Sequence, residues 1–390
     1  MDGWRKTTLA LAIGLCWFSL YTYVPILPTY ARDLGASYEM IGMIAGSYGF
    51  MQILLRLPLG ILSDKYNRRK VFIVAGFVLC VVSGAGMWLF PGVLTLLLFR
   101  SIAGIAATTW VVQTVLYASY YSPLDSPKAM GIVSAISVGG QMAATLLGGW
   151  LAYRFGDEYT FLFGAVGGVI GLVISFSVAD NRQLRRESPR VVDLLEVGTD
   201  RMLILASTLA LILQLVSYGS IYGFLPIAAR NIGANNFELG LLPTLFMLPG
   251  VITTALSGTV FTPWLGVRNS MIAGFAIMGA ATAVIPFVTS LNTLYLSQII
   301  GGFGWGLIFP LVMELGVNHV AEQKRATAMG YLQSTYSVGM FIGPVIVGFL
   351  GGAVGLDWGF LAIGGIGFIG SVITAAFLPR RRNSQSTLVS

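Results

Sequence analysis

The sequence predicts an all-α polytopic membrane protein with twelve transmembrane helices in two pseudo-symmetric six-helix halves. Three observations predict it. The 390-residue chain is 56% hydrophobic and only 10% charged, with a mean hydropathy of +0.80. Apolar runs long enough to cross about 30 Å of hydrocarbon at 1.5 Å per residue recur along its whole length. The second half of the chain repeats the first at a constant offset.

Taken in order, the apolar runs place spans 1 to 6 near residues 7–29, 38–62, 71–91, 93–121, 129–152 and 159–179. Spans 7 to 12 fall near 202–228, 237–261, 269–290, 292–317, 327–352 and 357–378. Span 1 follows Arg5 and Lys6 as a signal peptide would, but it is too long, too aromatic and lacks a small-residue cleavage site, so it reads as an uncleaved helix. The longest polar stretch, "DNRQLRRESPRVVDLLEVGTD" at 180–200, divides the chain into an N-terminal half (1–180), a linker (181–200) and a C-terminal half (201–390). With the N-terminus inside, the cytoplasmic segments hold 18 of the 23 Lys and Arg residues. The positive-inside rule therefore places both termini and the linker in the cytoplasm of a multi-pass protein of the plasma or inner membrane.

The halves are copies. "LPTYARDLGA" (27–36) returns as "LPIAARNIGA" (225–234), six identities in ten at an offset of 198, and the same offset carries Gly42 to Gly240, Gly60 to Gly258 and Gly104 to Gly302. A parallel duplication of six helices sets a pseudo-two-fold axis along the membrane normal, with a site between the halves near the midplane.

The stretch "GILSDKYNRRK" (60–70) puts five charged side chains within seven positions of a chain that has few. Gly60-x-x-x-Asp64-Lys65-x-Asn67-x-Arg69-Lys70 resembles the loop 2–3 signature of the major facilitator superfamily, with Asn67 where that pattern usually has glycine. Arg100-x-x-x-Gly104 in span 4 is similar to the family's helix 4 arginine motif, and with the duplication the resemblance covers essentially the whole chain. What it implies is a charged latch of Gly60, Asp64, Lys65, Arg68 and Arg69 that holds one conformation and breaks during transport. It also implies a coupling or gating role for Arg100 with Gly104, and a central cavity lined by spans 1, 4, 7 and 10. Physically, Gly60 would let backbones approach closely, and Asp64 could accept hydrogen bonds from a helix N-terminus of the other half. Asp125, at the end of span 4, offers a second carboxylate for Arg68 or Arg69.

Polar residues inside the spans complete the expectation. Arg100 lies roughly 10 Å from the outer end of span 4, where a charge needs a cavity or a partner. Arg56, roughly 9 Å from the cytoplasmic end of span 2, is within snorkelling range. Trp17 and Tyr21, then Trp110, Gln113 and Tyr117, then Gln214, Tyr218 and Tyr222, and finally Trp305 with Phe309, form aromatic and amide stripes at helical spacing on spans 1, 4, 7 and 10. Span 5 adds Ser134, Ser137, Gln141 and Thr145 on one face. Ordinary helix packing would also produce aromatic stripes, but mid-helix amides among them favour a pocket for an amphipathic organic molecule. No acidic residue lies on these stripes, which argues against strong selection of cations. Glu314 and His319 fall at the cytoplasmic end of span 10.

The formal charge of +7 is spread over loops and does not form a nucleic-acid patch. Cys16 and Cys80 both fall within apolar runs, no metal cluster or phosphate-binding loop is present in the sequence, and the single His is peripheral, so neither an enzyme nor a cofactor protein is expected. The expected function is a monomeric secondary transporter exporting amphipathic small molecules by alternating access, with protons as the coupling ion. Ala143 and Ala144 stand in span 5 where exporters of this family often have Gly-Pro, a pair that span 11 does have at Gly343 and Pro344. That departure keeps open uptake or facilitated exchange of a polar metabolite such as a sugar or organic anion, and a non-transporting sensor or scaffold is the third reading.

Overall fold

The computed structural model describes residues 2–66, 68–180, 198–321 and 324–379, without the side chains of Asp2, Asp64, Pro123, Ser126, Pro127 and Ala326. Asn67, most of the linker (181–197) and the basic residues 380–382 lie outside the described residues, as does the Asp64 side chain. Among the described residues every regular element is helical. Span 1 is Asp2–Tyr21 continued by Leu27–Asp33, span 2 is Tyr38–Tyr66, span 3 is Arg69–Leu89, and span 4 is Val93–Thr108 followed by Trp110–Ala118. Span 5 is Ser126–Phe155 and span 6 Glu158–Ser175. Span 7 is Arg201–Gly219 with Leu225–Asn231, span 8 Asn236–Leu256, span 9 Thr262–Ala283, span 10 Leu291–Asn318, span 11 Arg325–Ala353 and span 12 Leu356–Phe377.

Among the described residues ten helical stretches are long and apolar enough to cross a bilayer. One of them, Asn236–Phe287, has 52 residues, room for two crossings, and it turns at Gly266, whose φ of 77° is open to glycine at no steric cost. Adding span 1, which begins on charged residues, makes twelve.

Spans 1 and 7 break at equivalent places. Pro25 and Pro28 remove backbone donors after Tyr21, and the helix restarts at Leu27. In span 7 a π-helical turn, Ser220–Phe224, precedes Pro226. The identical Leu-Pro of the repeated decapeptide thus interrupts the first span of each six in the same register, as in the discontinuous helices of transporters.

Two seams join the first six spans to the last six: span 2 against span 11, and span 5 against span 8. Both are tight at the end opposite the termini. A Cβ on Gly149 would sit 2.7 Å from the Gly240 Cα, so only glycine fits where spans 5 and 8 cross. Along span 5 burial varies towards the end that carries the termini, where Ser137 is buried. Thr145 is buried with its hydroxyl 3.1 Å from that of Thr244, Gln141 is half-buried, and Ser134 is exposed.

Candidate functional site

The breaks in spans 1 and 7 bring their aromatic residues together. Tyr21, the last helical residue before the first break, meets the Tyr218 hydroxyl at 3.0 Å across the two sets of spans. Tyr222, in the π turn, stands edge-on to Tyr21 at 5.9 Å and lies 4.9 Å from Tyr218. Trp17, one turn before Tyr21, is 5.6 Å from it and 5.4 Å from Trp110. Span 4 is itself interrupted at Thr109, whose hydroxyl turns back to the Ala106 carbonyl at 2.7 Å and accepts from Gln113 Nε2 at 3.2 Å. No proline marks that interruption, so no local pattern announces it. The indole Nε1 of Trp17 and Oε1 of Gln113 are buried without a hydrogen-bond partner.

Span 2 supplies residues that the stripes on spans 1, 4, 7 and 10 did not include. Tyr48, Gln52 and Arg56 follow at intervals of four on one face. The Arg100 guanidinium lies 4.3 Å from the centre of the Tyr48 ring and 5.6 Å from that of Tyr23, and Tyr48 stacks on Tyr218 at 6.3 Å. Gly104 makes this possible: a Cβ there would fall 2.6 Å from the Tyr48 carbonyl oxygen, so its absence lets span 4 lie against span 2 with Arg100 over the ring. Arg56 is 3% exposed and does not snorkel. Its Nη1 donates to the Tyr336 hydroxyl at 2.7 Å and its Nη2 to Gln52 Oε1, which ties span 2 to span 11. A four-residue spacing of Tyr, Gln and Arg was visible in the sequence, but distance from the helix end was a poor guide to where the arginine points.

Other expected cavity residues are placed elsewhere or stand apart from this cluster. Tyr117 bonds to the Tyr121 hydroxyl at 3.1 Å and lines a separate groove of about 700 Å³ between spans 1, 4 and 5, with Lys6, Ala10, Phe18 and Ile136. Trp305 stacks on Phe309 at 4.5 Å and packs near Phe246 within the last six spans. Gln214 and Gln141 are half-buried.

Around the 60–70 stretch, a Cβ on Gly60 would meet only Val111 Cγ1, at 3.7 Å, an ordinary contact, so the expected close backbone approach at Gly60 is not made in this conformation. Lys65 and Arg68 are exposed, Arg69 is buried, and Lys70 donates to the Phe176 carbonyl at 2.5 Å. Asp125 accepts from the Ser122 hydroxyl at 2.7 Å. Glu314 is exposed at the end of span 10 and accepts from Asn318 at 2.9 Å.

At the far end the seam carries a polar cluster. Asn236 Nδ2 donates to Asp157 Oδ1 at 2.6 Å and to the Ala152 carbonyl at 3.1 Å, while Arg230 donates to Asn236 Oδ1. Burial pushes the Asp157 carboxyl above the usual carboxylate range, against the lowering influence of Arg230 and of the Asn236 hydrogen bond.

Twelve spans in two sets, joined by seams formed by spans 2, 5, 8 and 11, define a membrane transporter fold. The chain belongs to the Major Facilitator Superfamily, whose family model matches residues 9–216 and again 207–389. It is similar to the multidrug resistance protein MdtG of Dickeya zeae, 26% identical over 99% of this chain and 97% of that one. The tetracycline resistance protein, class B, of Escherichia coli is 23% identical over 87% of each chain. Among solved structures, a bacterial homolog of the human lysosomal transporter Spinster, inward-facing and unoccupied, superposes with a TM-score of 0.79 at 17% identity over 96% of each chain.

Proposed function

We propose that this transporter is a secondary active exporter of amphipathic small organic molecules, working by alternating access with protons as the coupling ion. The supporting observation is the aromatic cluster where spans 1, 4 and 7 meet, in which Trp17 Nε1 and Gln113 Oε1 are buried without a hydrogen-bond partner. The distribution of Lys and Arg favours cytoplasmic termini, the side from which an exporter loads. The drug-resistance names of the two relatives fit that direction. In this reading the Thr145–Thr244 and Asp157–Asn236 contacts form an outer gate that must part for release. Asp157 is the proposed entry point for the proton, because it is a titratable carboxyl held on the moving seam.

The test is transport by the full chain in proteoliposomes with an imposed pH gradient, offered amphipathic dyes, sugars and organic acids. Gradient-dependent movement of an amphipathic compound, lost with a protonophore, is expected. Trp110→Ala and Gln113→Ala should each weaken apparent affinity by about 1 kcal/mol with folded protein unchanged. Transport of sugars alone, or transport indifferent to the gradient, would overturn the proposal.

A further inference from the structure

We infer that the central cavity is an anion site, and that the molecule it takes carries a carboxylate on an aromatic or apolar body. This rests on the amphipathic-cavity reading above and names the substrate class for it.

The inference follows from charge balance. Arg56 and Arg100 are each 3% exposed, and a guanidinium stays protonated at any accessible pH. Among the described residues neither is paired with a carboxylate. The partners of Arg56 are neutral, namely Gln52, the Tyr336 hydroxyl and the Gln333 carbonyl. Arg100 is held by the faces of Tyr48 and Tyr23. Nε and Nη1 of Arg100 and Nε of Arg56 have no acceptor. Removing one partner from a buried ion pair is strongly destabilising because it leaves the other charge uncompensated, and here two such charges lie without a carboxylate partner among the described residues. The ring of Tyr48 lies beneath Arg100, and its carbonyl accepts from Gln52, the residue that holds Arg56. Both guanidiniums therefore border a single stretch of span 2.

The unpaired hydrogen-bonding groups point the same way. Trp17 Nε1 adds another donor without an acceptor, and the one orphaned acceptor beside it is Gln113 Oε1. A neutral ligand would have to satisfy this excess of donors with weaker acceptors, and an organic cation would add a third positive charge. A carboxylate brings two oxygens with about four lone-pair sites and can take a guanidinium bidentately. The rings of Trp17, Trp110 and Tyr222 then receive its apolar body.

The experiment is equilibrium binding to the purified full-length protein of three probes that differ only in charge: 2-naphthoate, 2-naphthamide and 2-naphthylmethylammonium, in gluconate buffer and again in chloride. Naphthoate is expected to bind about 10- to 100-fold more tightly than the amide, with the ammonium weakest. Arg100→Gln should collapse the naphthoate-to-amide ratio to within about 3-fold, and Arg100→Lys should keep most of it. The readout is a ratio measured within one protein, so amide binding by Arg100→Gln also certifies that variant as folded. Equal binding of all three probes, or a ratio that survives in both Arg100→Gln and Arg56→Gln, overturns the anion assignment and leaves the amphipathic cavity standing. Equal binding in gluconate with a signal from chloride alone would show that the arginines hold an inorganic ion, which also overturns it. No binding of any probe would overturn the cavity reading as well.

Discussion

The first and last six spans pack alike but carry different chemistry. Gly104 lies against the Tyr48 carbonyl, and at the offset of 198 Gly302 lies against the Phe246 carbonyl, where a Cβ would fall 2.0 Å from the oxygen. The duplication has kept a backbone crossing that only glycine permits, while the side chains around it have diverged. Arg100 corresponds to Gln298, Tyr48 to Phe246, Tyr23 to Ile221 and Arg56 to Thr254. Gln298 is buried and donates to Ser297 at 3.1 Å. The first set therefore holds Arg56 and Arg100, and the second supplies Tyr218, Tyr222 and Tyr336 opposite them. Helix crossings depend on backbone shape and survive divergence together, whereas a charge needs a particular partner or ligand and can be confined to one side.

The largest expected effect breaks the shared feature. Gly302→Ala and Gly104→Ala each force a methyl into a backbone, and both should destabilise the protein by about 2 kcal/mol or more, with Gly302→Ala the worse. Thermal unfolding of purified protein measures this, and a Gly302→Ala variant as stable as the wild type would show that the crossing tolerates side chains.

The next prediction sharpens the difference between the halves. Asp64 corresponds to Thr262, where the second set has no acid. Asp64→Asn, which removes a charge with little change of shape, is expected to shift the balance of conformations by about 1 to 3 kcal/mol and to lower turnover accordingly. Thr262→Asn should leave turnover nearly unchanged at matched protein levels. Equal effects of the two would reduce "GILSDKYNRRK" to a topology signal.

The smallest effect concerns the far-end seam. The Asp157 carboxyl is raised in the closed seam, where it faces Arg230 from the last six spans and Asp33 and Glu158 from the first six. Closure therefore binds protons that an open, solvated Asp157 would release. Its contribution to closure is full below the ordinary carboxylate pKa of about 4 and is lost as pH rises through the raised value. With Cys16 and Cys80 replaced by Ser, a Thr244→Cys reporter should label faster with an impermeant maleimide as pH rises through that window. The acceleration is measured relative to the same reporter carrying Asp157→Asn, which keeps the seam neutral at every pH and cancels the thiol's own titration. A ratio flat with pH would remove Asp157 from the gate.

Much of the site was present in the sequence as stripes. Trp17, Tyr21, Trp110, Gln113, Tyr218 and Tyr222 were selected by helical spacing, and the structure brings them together. Tyr117 and Trp305 lay on the same stripes yet sit in other surroundings, because spacing fixes a face of one helix but not the neighbour that face meets. Tyr48 and Gln52 lie on span 2, outside the stripes of spans 1, 4, 7 and 10, and Arg56 reads there as a snorkelling residue. Their contacts at the seam with span 11 depend on residues about 280 positions away in sequence.

The sequence by itself determined the membrane class, the order of the spans, the repeated Leu-Pro break and the paired glycines. Each of these follows from local requirements: hydrocarbon thickness, a missing backbone donor, or the absence of a Cβ. Only the tertiary structure decided that Arg56 turns inward to Tyr336, that Arg100 rests between Tyr23 and Tyr48, and that neither meets a carboxylate among the described residues. The partner of a buried charge is chosen by how distant helices cross, and no local pattern in the chain records that crossing.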